Sequence, residues 1–354
     1  MKKVNLSHPL FHLMLALSLF ILAGCAKENA HYAEQPPTEI QAAQEAAPTE
    51  ELSTDEYPQN AKTDTDQSPE TAETVPDEVV QSEETVSDKI PEASETRIES
   101  VIAEADWSNY FDGLKGAAVI YDPDRQCYQI YNQELALNRR SPCSTFKIIS
   151  SLIALETGII VPGDSTRAWS GEVFWNEAWN TDINFTDAFH ASCVWYFREV
   201  IDEIGMEQMQ EELNRLQYGN CDISDWEGRL NTNNSNPVLT GFWIESSLLI
   251  SPKEQTEVME RIFGGHDTYS EETLTQLKQV MLLTETAESD ISIYGKTGMG
   301  KAYGVVVDAW YTGFAEANDK RIYFCVYLGE TAGQNVSSVR AREIAVEIVS
   351  DYLN

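Results

Sequence analysis

Basic side chains are scarce in this chain: its 354 residues hold 24 Lys and Arg against 58 Asp and Glu, a formal net charge of -34 at pH 7. That shortage argues against nucleic-acid binding, which needs cationic stripes to neutralise phosphate, and against electrostatic attachment to anionic lipid. Histidine is scarcer still. Only His190 and His266 of the five lie beyond the first hundred residues, and neither sits in a cluster, so a Ser–His–Asp triad is a weak expectation. The six cysteines (25, 127, 143, 193, 221 and 325) show no C-x-x-C pair and no metal-ligand spacing. Setting Cys25 aside leaves an odd number, so at least one thiol is expected to be free, and the set reads as small buried residues. No phosphate loop is present either: "GKT" at 295–297 lacks the upstream glycine, because residue 290 is Asp.

Long apolar runs are absent except at the very start. There, Lys2 and Lys3 precede "LMLALSLFILA", a stretch too short to span a bilayer comfortably, and "LAGC" closes it at Cys25. Small residues before a cysteine at this place resemble a bacterial lipobox. The expectation is a signal peptide over 1–24, export, and lipid attachment to Cys25 on the outer face of the cell membrane. From 26 to 106 the chain carries 22 acidic and four basic residues with almost no aromatics. Such a stretch buries too little apolar surface to offset its ordering entropy, so residues 25–104 are expected to form a disordered, self-repelling tether.

A folded domain is expected over 105–354. "GAAVIYD" and "CYQIYN" read as a strand hairpin. Helical periods follow from about 144, at 192–205, 207–219, 251–263 and 271–282. Strand patterns return in "ISIYGKTG", "YGVVVDAWYTGFAEA" and "RIYFCVYLG", and a last helix covers 339–353. Strands at both ends with helices between predict an α+β fold: an antiparallel sheet flanked by helices, with an inserted all-helical lobe.

One constellation could carry chemistry. Ser144 and Lys147 stand three apart in "SPCSTFKIISSLIAL", on one face of an otherwise apolar helix. Burial among such neighbours lowers a lysine pKa, and a neutral amine can take the serine proton to make a nucleophile. "SCV" (Ser192, Cys193, Val194) lies downstream at a helix start, and "KTG" (Lys296, Thr297, Gly298) on a strand. Ser-x-x-Lys, a second serine motif and Lys-Thr-Gly, in that order, form the set used by serine enzymes that act on penicillins.

With these motifs, "YGN" at 218–220 and "GFWIESSLLISPKEQ", the domain resembles class D serine β-lactamases over nearly all of 105–354. The resemblance implies that Ser144 is acylated by the β-lactam and that Lys147, carboxylated by CO2 or bicarbonate, is the general base. No other cofactor and no metal is implied. It further implies that Val194 and Trp243 wall in the carboxylated lysine and that Ser192 and Lys296 relay protons. Lys296 and Thr297, with Gly298 beside them, would hold the substrate carboxylate, and the N–H groups of Ser144 and Met299 would form the oxyanion hole. A carboxylate-binding arginine is expected in "NVSSVRARE", which offers Arg340, with Arg342 two residues on. The expected activity is β-lactam hydrolysis. The alternative is a β-lactam sensor or penicillin-binding protein that is acylated and stalls.

Overall fold

The computed structural model describes residues 100–230, 235–284 and 290–354. The expected signal peptide, Cys25 and nearly all of the expected tether lie outside these residues. Six strands form one sheet: β1 (Val101–Glu104), β2 (Gly116–Asp122), β3 (Cys127–Tyr131), β4 (Ile291–Ala302), β5 (Val305–Ala317) and β6 (Lys320–Gly329). Their order is β1-β3-β2-β6-β5-β4. Neighbours run antiparallel, except that β1 pairs with β3 in parallel, Val101 opposite Cys127 through Glu104 opposite Ile130. The expected tether boundary at 104 is therefore corrected: β1 belongs to the sheet although its side chains are mostly exposed and its sequence has no strand-like alternation.

One face of the sheet is covered by α1 (Ser108–Phe111) and by the terminal helix, which is α9 in chain order (Ser338–Leu353). Ala341, Ile344, Ala345 and Ile348 of α9 pack on Ala309, Tyr311, Ile322 and Phe324. The other face carries the inserted lobe, made of α2 (Gln133–Ala136), α3 (Lys147–Glu156), α4 (Phe185–His190), α5 (Val194–Ile204), α6 (Met206–Leu216), α7 (Pro252–Phe263) and α8 (Glu271–Met281). This is the expected α+β arrangement, and the largest hydrophobic core among the described residues is built mainly from the lobe.

Local sequence explains the element ends nearest the site. α7 starts at Ser251 with a reciprocal capping box to Glu254 and with Pro252 in the first turn, where its missing N–H is harmless. α3 has no capping side chain. It continues from a 3-10 turn, Cys143–Phe146, and buries every residue from Lys147 to Leu155. That stretch cannot turn a polar face to water, so any polar group between Lys147 and Leu155 faces protein. All five cysteines among the described residues are free thiols, with Cys143, Cys193 and Cys325 buried. Among the described residues no helix is long and apolar enough to cross a membrane.

Candidate active site

The turn that carries Ser144 lies on a shelf of glycines. Gly298 and Gly300 of β4 lie opposite Trp310 and Asp308 of β5. A Cβ at Gly298 would stand 2.9 Å from the Pro142 carbonyl oxygen and 3.0 Å from Thr145 Cγ2, and one at Gly300 would stand 3.1 Å from Cys143 Sγ. Only glycine lets the 3-10 turn approach the strand this closely. The turn is itself held in a costly conformation, since Cys143 has a φ of 49° without being glycine.

Ser144 and Lys147 come together as their spacing predicts. Lys147 Nζ donates to Ser144 Oγ at 3.1 Å. Its side chain is 1% exposed, and the Phe197 ring lies 5.3 Å from the nitrogen. Burial lowers its pKa from 10.5 to about 8, and the Cys193 and Cys143 thiols nearby only partly oppose this. Val194 opens α5 three residues before Phe197, so it shares the helix face turned to Lys147. Trp243 is buried and stacks at 6.1 Å on Phe146, the residue beside Lys147.

A second lysine–serine pair closes the site. Lys296 Nζ donates to Ser192 Oγ at 3.0 Å and to the Thr297 carbonyl at 3.1 Å. Burial holds its pKa well below the usual lysine value, and the charge of Lys147 adds to this. Ser192 sits between α4 and α5 with a φ of 56°, a second non-glycine residue in the left-handed region. Neither lysine has a carboxylate among the causes of its shift.

Backbone parity fixes the direction of Met299. The Leu283 N–H donates to the Ile293 carbonyl at 2.8 Å, so Ile293 turns its backbone groups away from β5. Alternation gives the same direction to Gly295, Thr297 and Met299, because the register shift comes later, between Gly300 and Lys301. Met299 thus presents its N–H along the open edge of β4, the edge against which the Ser144 turn packs.

A cleft of about 230 Å3 lies beside Lys296 and Thr297, lined also by His190, Tyr311 and Arg342. His190 Nε2–H donates to the Val280 carbonyl at 3.0 Å. Arg340, the arginine expected for the substrate carboxylate, does not line this cleft. Its guanidinium donates to the Tyr110 carbonyl at 3.1 Å and pairs with Glu343, on the flank of α9 turned to α1. Arg342, about 200° further round the helix, is the arginine that faces the cleft. "YGN" is a clasp: Asn220 donates to the Ser247 carbonyl and accepts the Leu249 N–H, at 2.8 and 2.9 Å. A Cβ at Gly219 would meet the Leu249 oxygen at 1.9 Å, so the middle residue must be glycine. Among the described residues no group of three or more His, Cys, Asp or Glu side chains is placed to hold a metal.

Comparison with known proteins identifies the family. The family model described as the penicillin binding protein transpeptidase domain matches residues 116–350. The regulatory protein BlaR1 of Bacillus licheniformis is 31% identical over 247 residues, covering 69% of this chain and 38% of its own length. This chain thus spans well under half of that relative. Among solved structures, the C-terminal domain of the Bacillus licheniformis BlaR penicillin-receptor superposes with a TM-score of 0.62 at 28% identity, over 72% of this chain and 97% of that one. A class D β-lactamase from Bacillus subtilis superposes with a TM-score of 0.59 at 26% identity, over 70% and 95%.

Proposed function

Since the chain belongs to the penicillin-binding protein transpeptidase family, with class D β-lactamases and BlaR1 sensor domains as homologues, we propose that it hydrolyses β-lactams through an acyl-Ser144 intermediate. The observation that carries this reading is a buried lysine amine, 3.1 Å from a serine hydroxyl, with its pKa depressed to about 8. A nitrogen in that state can take the Ser144 proton as the oxygen attacks the lactam carbonyl carbon. The N–H groups of Ser144 and Met299 receive the oxyanion. As the lactam C–N bond breaks, Ser192 passes a proton to the leaving nitrogen and draws a replacement from Lys296. Arg342 and Thr297, on one wall of the cleft, hold the substrate carboxylate, Arg342 supplying charge-assisted hydrogen bonds.

Deacylation needs a base that can activate water. The Lys147 pocket suits carboxylation, because only an uncharged amine adds CO2 and burial favours that form. Once CO2 is bound, the modified lysine supplies an anionic base for the second half-reaction. Val194 adds no hydrogen-bonding group to this pocket and so does not compete for the nitrogen, which favours turnover over stalling. The second reading, a sensor that is acylated and waits, rests on the similarity to BlaR1 and to the penicillin-receptor domain. For the N-terminus we propose export and lipid attachment at Cys25, with residues up to about 100 as a spacer.

Purified protein mixed with a chromogenic cephalosporin, with and without bicarbonate, separates these readings. Sustained turnover that rises with bicarbonate and vanishes in Lys147→Ala supports hydrolysis. One equivalent of colour followed by a stable adduct on Ser144 supports sensing. Absence of any Ser144 adduct by mass spectrometry sinks both.

A further inference from the structure

Ser141 has no part in the reaction described above, yet its buried hydroxyl joins two distant stretches of chain. It donates to the Trp243 carbonyl at 3.0 Å and accepts the Glu245 N–H at 2.8 Å. The same Trp243 carbonyl accepts the Cys143 N–H at 2.9 Å. Glu245 carries the connection onward, its Oε1 accepting the Lys301 N–H at 2.6 Å, just past the register shift in β4. One short loop, residues 243–245, therefore grips the nucleophile turn on one side and the end of the β4 edge on the other.

Both ends of this grip are strained. Cys143 and Glu245 have φ angles of 49° and 50°, and neither is glycine. A residue stays in that region only where neighbouring bonds over-determine it. Here those bonds are the three hydrogen bonds of the Ser141 hydroxyl, one of them accepted from the Cys143 thiol at 3.7 Å, and the Cys143 N–H bond to Trp243. If Cys143 relaxed toward negative φ, the residue after it, Ser144, would swing off its 3.1 Å contact with Lys147. If the Glu245–Lys301 bond were lost, the strand end two residues beyond Met299 would be free to shift.

We propose that Ser141 and Glu245 form a bracket that sets the separation between the Ser144 turn and the Met299 stretch of β4, aiming the nucleophile and the oxyanion donors at one acyl carbon. Neither side chain touches substrate; both are positioning residues. The proposal rests on the acyl-Ser144 reading above. A mismatch of about 1 Å between nucleophile and oxyanion donors costs up to a hundredfold in rate, so the bracket acts on the acylation step and leaves prior binding alone.

Rapid-mixing kinetics on the full chain with a chromogenic cephalosporin yields the acylation rate constant and the pre-covalent affinity separately. Ser141→Ala and Glu245→Ala are each expected to lower the acylation constant about tenfold with affinity changed less than twofold. The double variant should lose less than the product of the two, because the bracket is already open. Glu245→Gln, which keeps an acceptor for the Lys301 N–H, should restore the constant to within about threefold of the wild type. Should Ser141→Ala fail to fold, the partly exposed Glu245 pair of variants decides alone. A lower melting temperature with an unchanged acylation constant, in a wild type that does acylate Ser144, overturns the bracket only. A wild type that forms no Ser144 adduct overturns the acyl-enzyme reading and the bracket together.

Discussion

At Lys147, function is set against stability. The nitrogen is buried without a carboxylate, and its pKa falls from 10.5 to about 8. Between those values the unfolded chain binds a proton that the folded chain does not, so stability rises as pH climbs through that window. Below about pH 8 the lysine is protonated in both states and the burial penalty is present in full, on the order of 3 kcal/mol for a shift of that size. Lys147→Met keeps the volume and removes the charge. In CO2-depleted buffer at pH 6.5 it is expected to be more stable than the wild type by about 1–3 kcal/mol, a gain that shrinks toward zero near pH 10.5. Denaturant unfolding across pH 6 to 10.5 measures this. A variant less stable than the wild type at pH 6.5 would mean that the ammonium is well solvated, and the argument for a reactive neutral amine would fall with it. CO2 must be excluded, because a modification confined to the folded state would itself stabilise the wild type.

Two elements decide whether the residues meet. The first is the glycine shelf of β4. Gly298→Ala would press a methyl group against the Pro142 oxygen at 2.9 Å, and backbone on both sides leaves little room to yield. The expected cost is about 1–3 kcal/mol of stability, together with an acylation rate lowered at least tenfold as the nucleophile turn lifts. Thermal unfolding and adduct formation followed by mass spectrometry read the two effects, and a variant with wild-type acylation would show that the close approach is unnecessary. The second element is α9. Ala341 points into the core, while Arg340 and Arg342 stand about 100° to either side of it, one toward α1 and one toward the cleft. Arg342→Ala is expected to weaken β-lactam binding about tenfold or more, and Arg340→Ala to leave KM within about twofold. The opposite ranking would return the carboxylate site to Arg340. These elements also mark how far the sequence could be read. Ser144 with Lys147, and Lys296 with Thr297, were legible because each pair lies within one turn or one strand step, where spacing alone sets proximity. The strand hairpin and the long helices were legible from their periods. The choice between two arginines flanking one apolar stripe was not, since it depends on which side of the stripe faces the edge of the sheet. Ser141 was not legible either: the two backbone partners that give it its role are about a hundred residues away, and its only local sign is a serine before a proline.

Across the whole molecule, the sheet order separates what holds the domain together from what performs the chemistry. β4, with Lys296 and Met299, stands at one edge, and β1 stands at the other, with four strands between them. β1 is short and largely exposed, with Val101 and Ile102 at 63% and 46%, so it contributes little buried area. What it does is pair with the outer edge of β3, whose N–H and C=O groups would otherwise be open to water and to other chains. A fragment beginning at residue 100 should therefore keep the melting temperature of the full chain, whereas one beginning at 105 should melt about 3–6 °C lower, as a loss of about 1–2 kcal/mol implies for a domain of this size. The shorter fragment should also aggregate more readily on heating, through the freed β3 edge. Its acylation rate should match that of the longer fragment, because no strand of the site changes its neighbours. Scanning calorimetry, light scattering and adduct kinetics on the two fragments make the comparison. Equal melting temperatures would show that residues 100–104 belong with the preceding segment after all. A slower acylation in the shorter fragment would show that the two edges of the sheet are coupled through β2, β6 and β5.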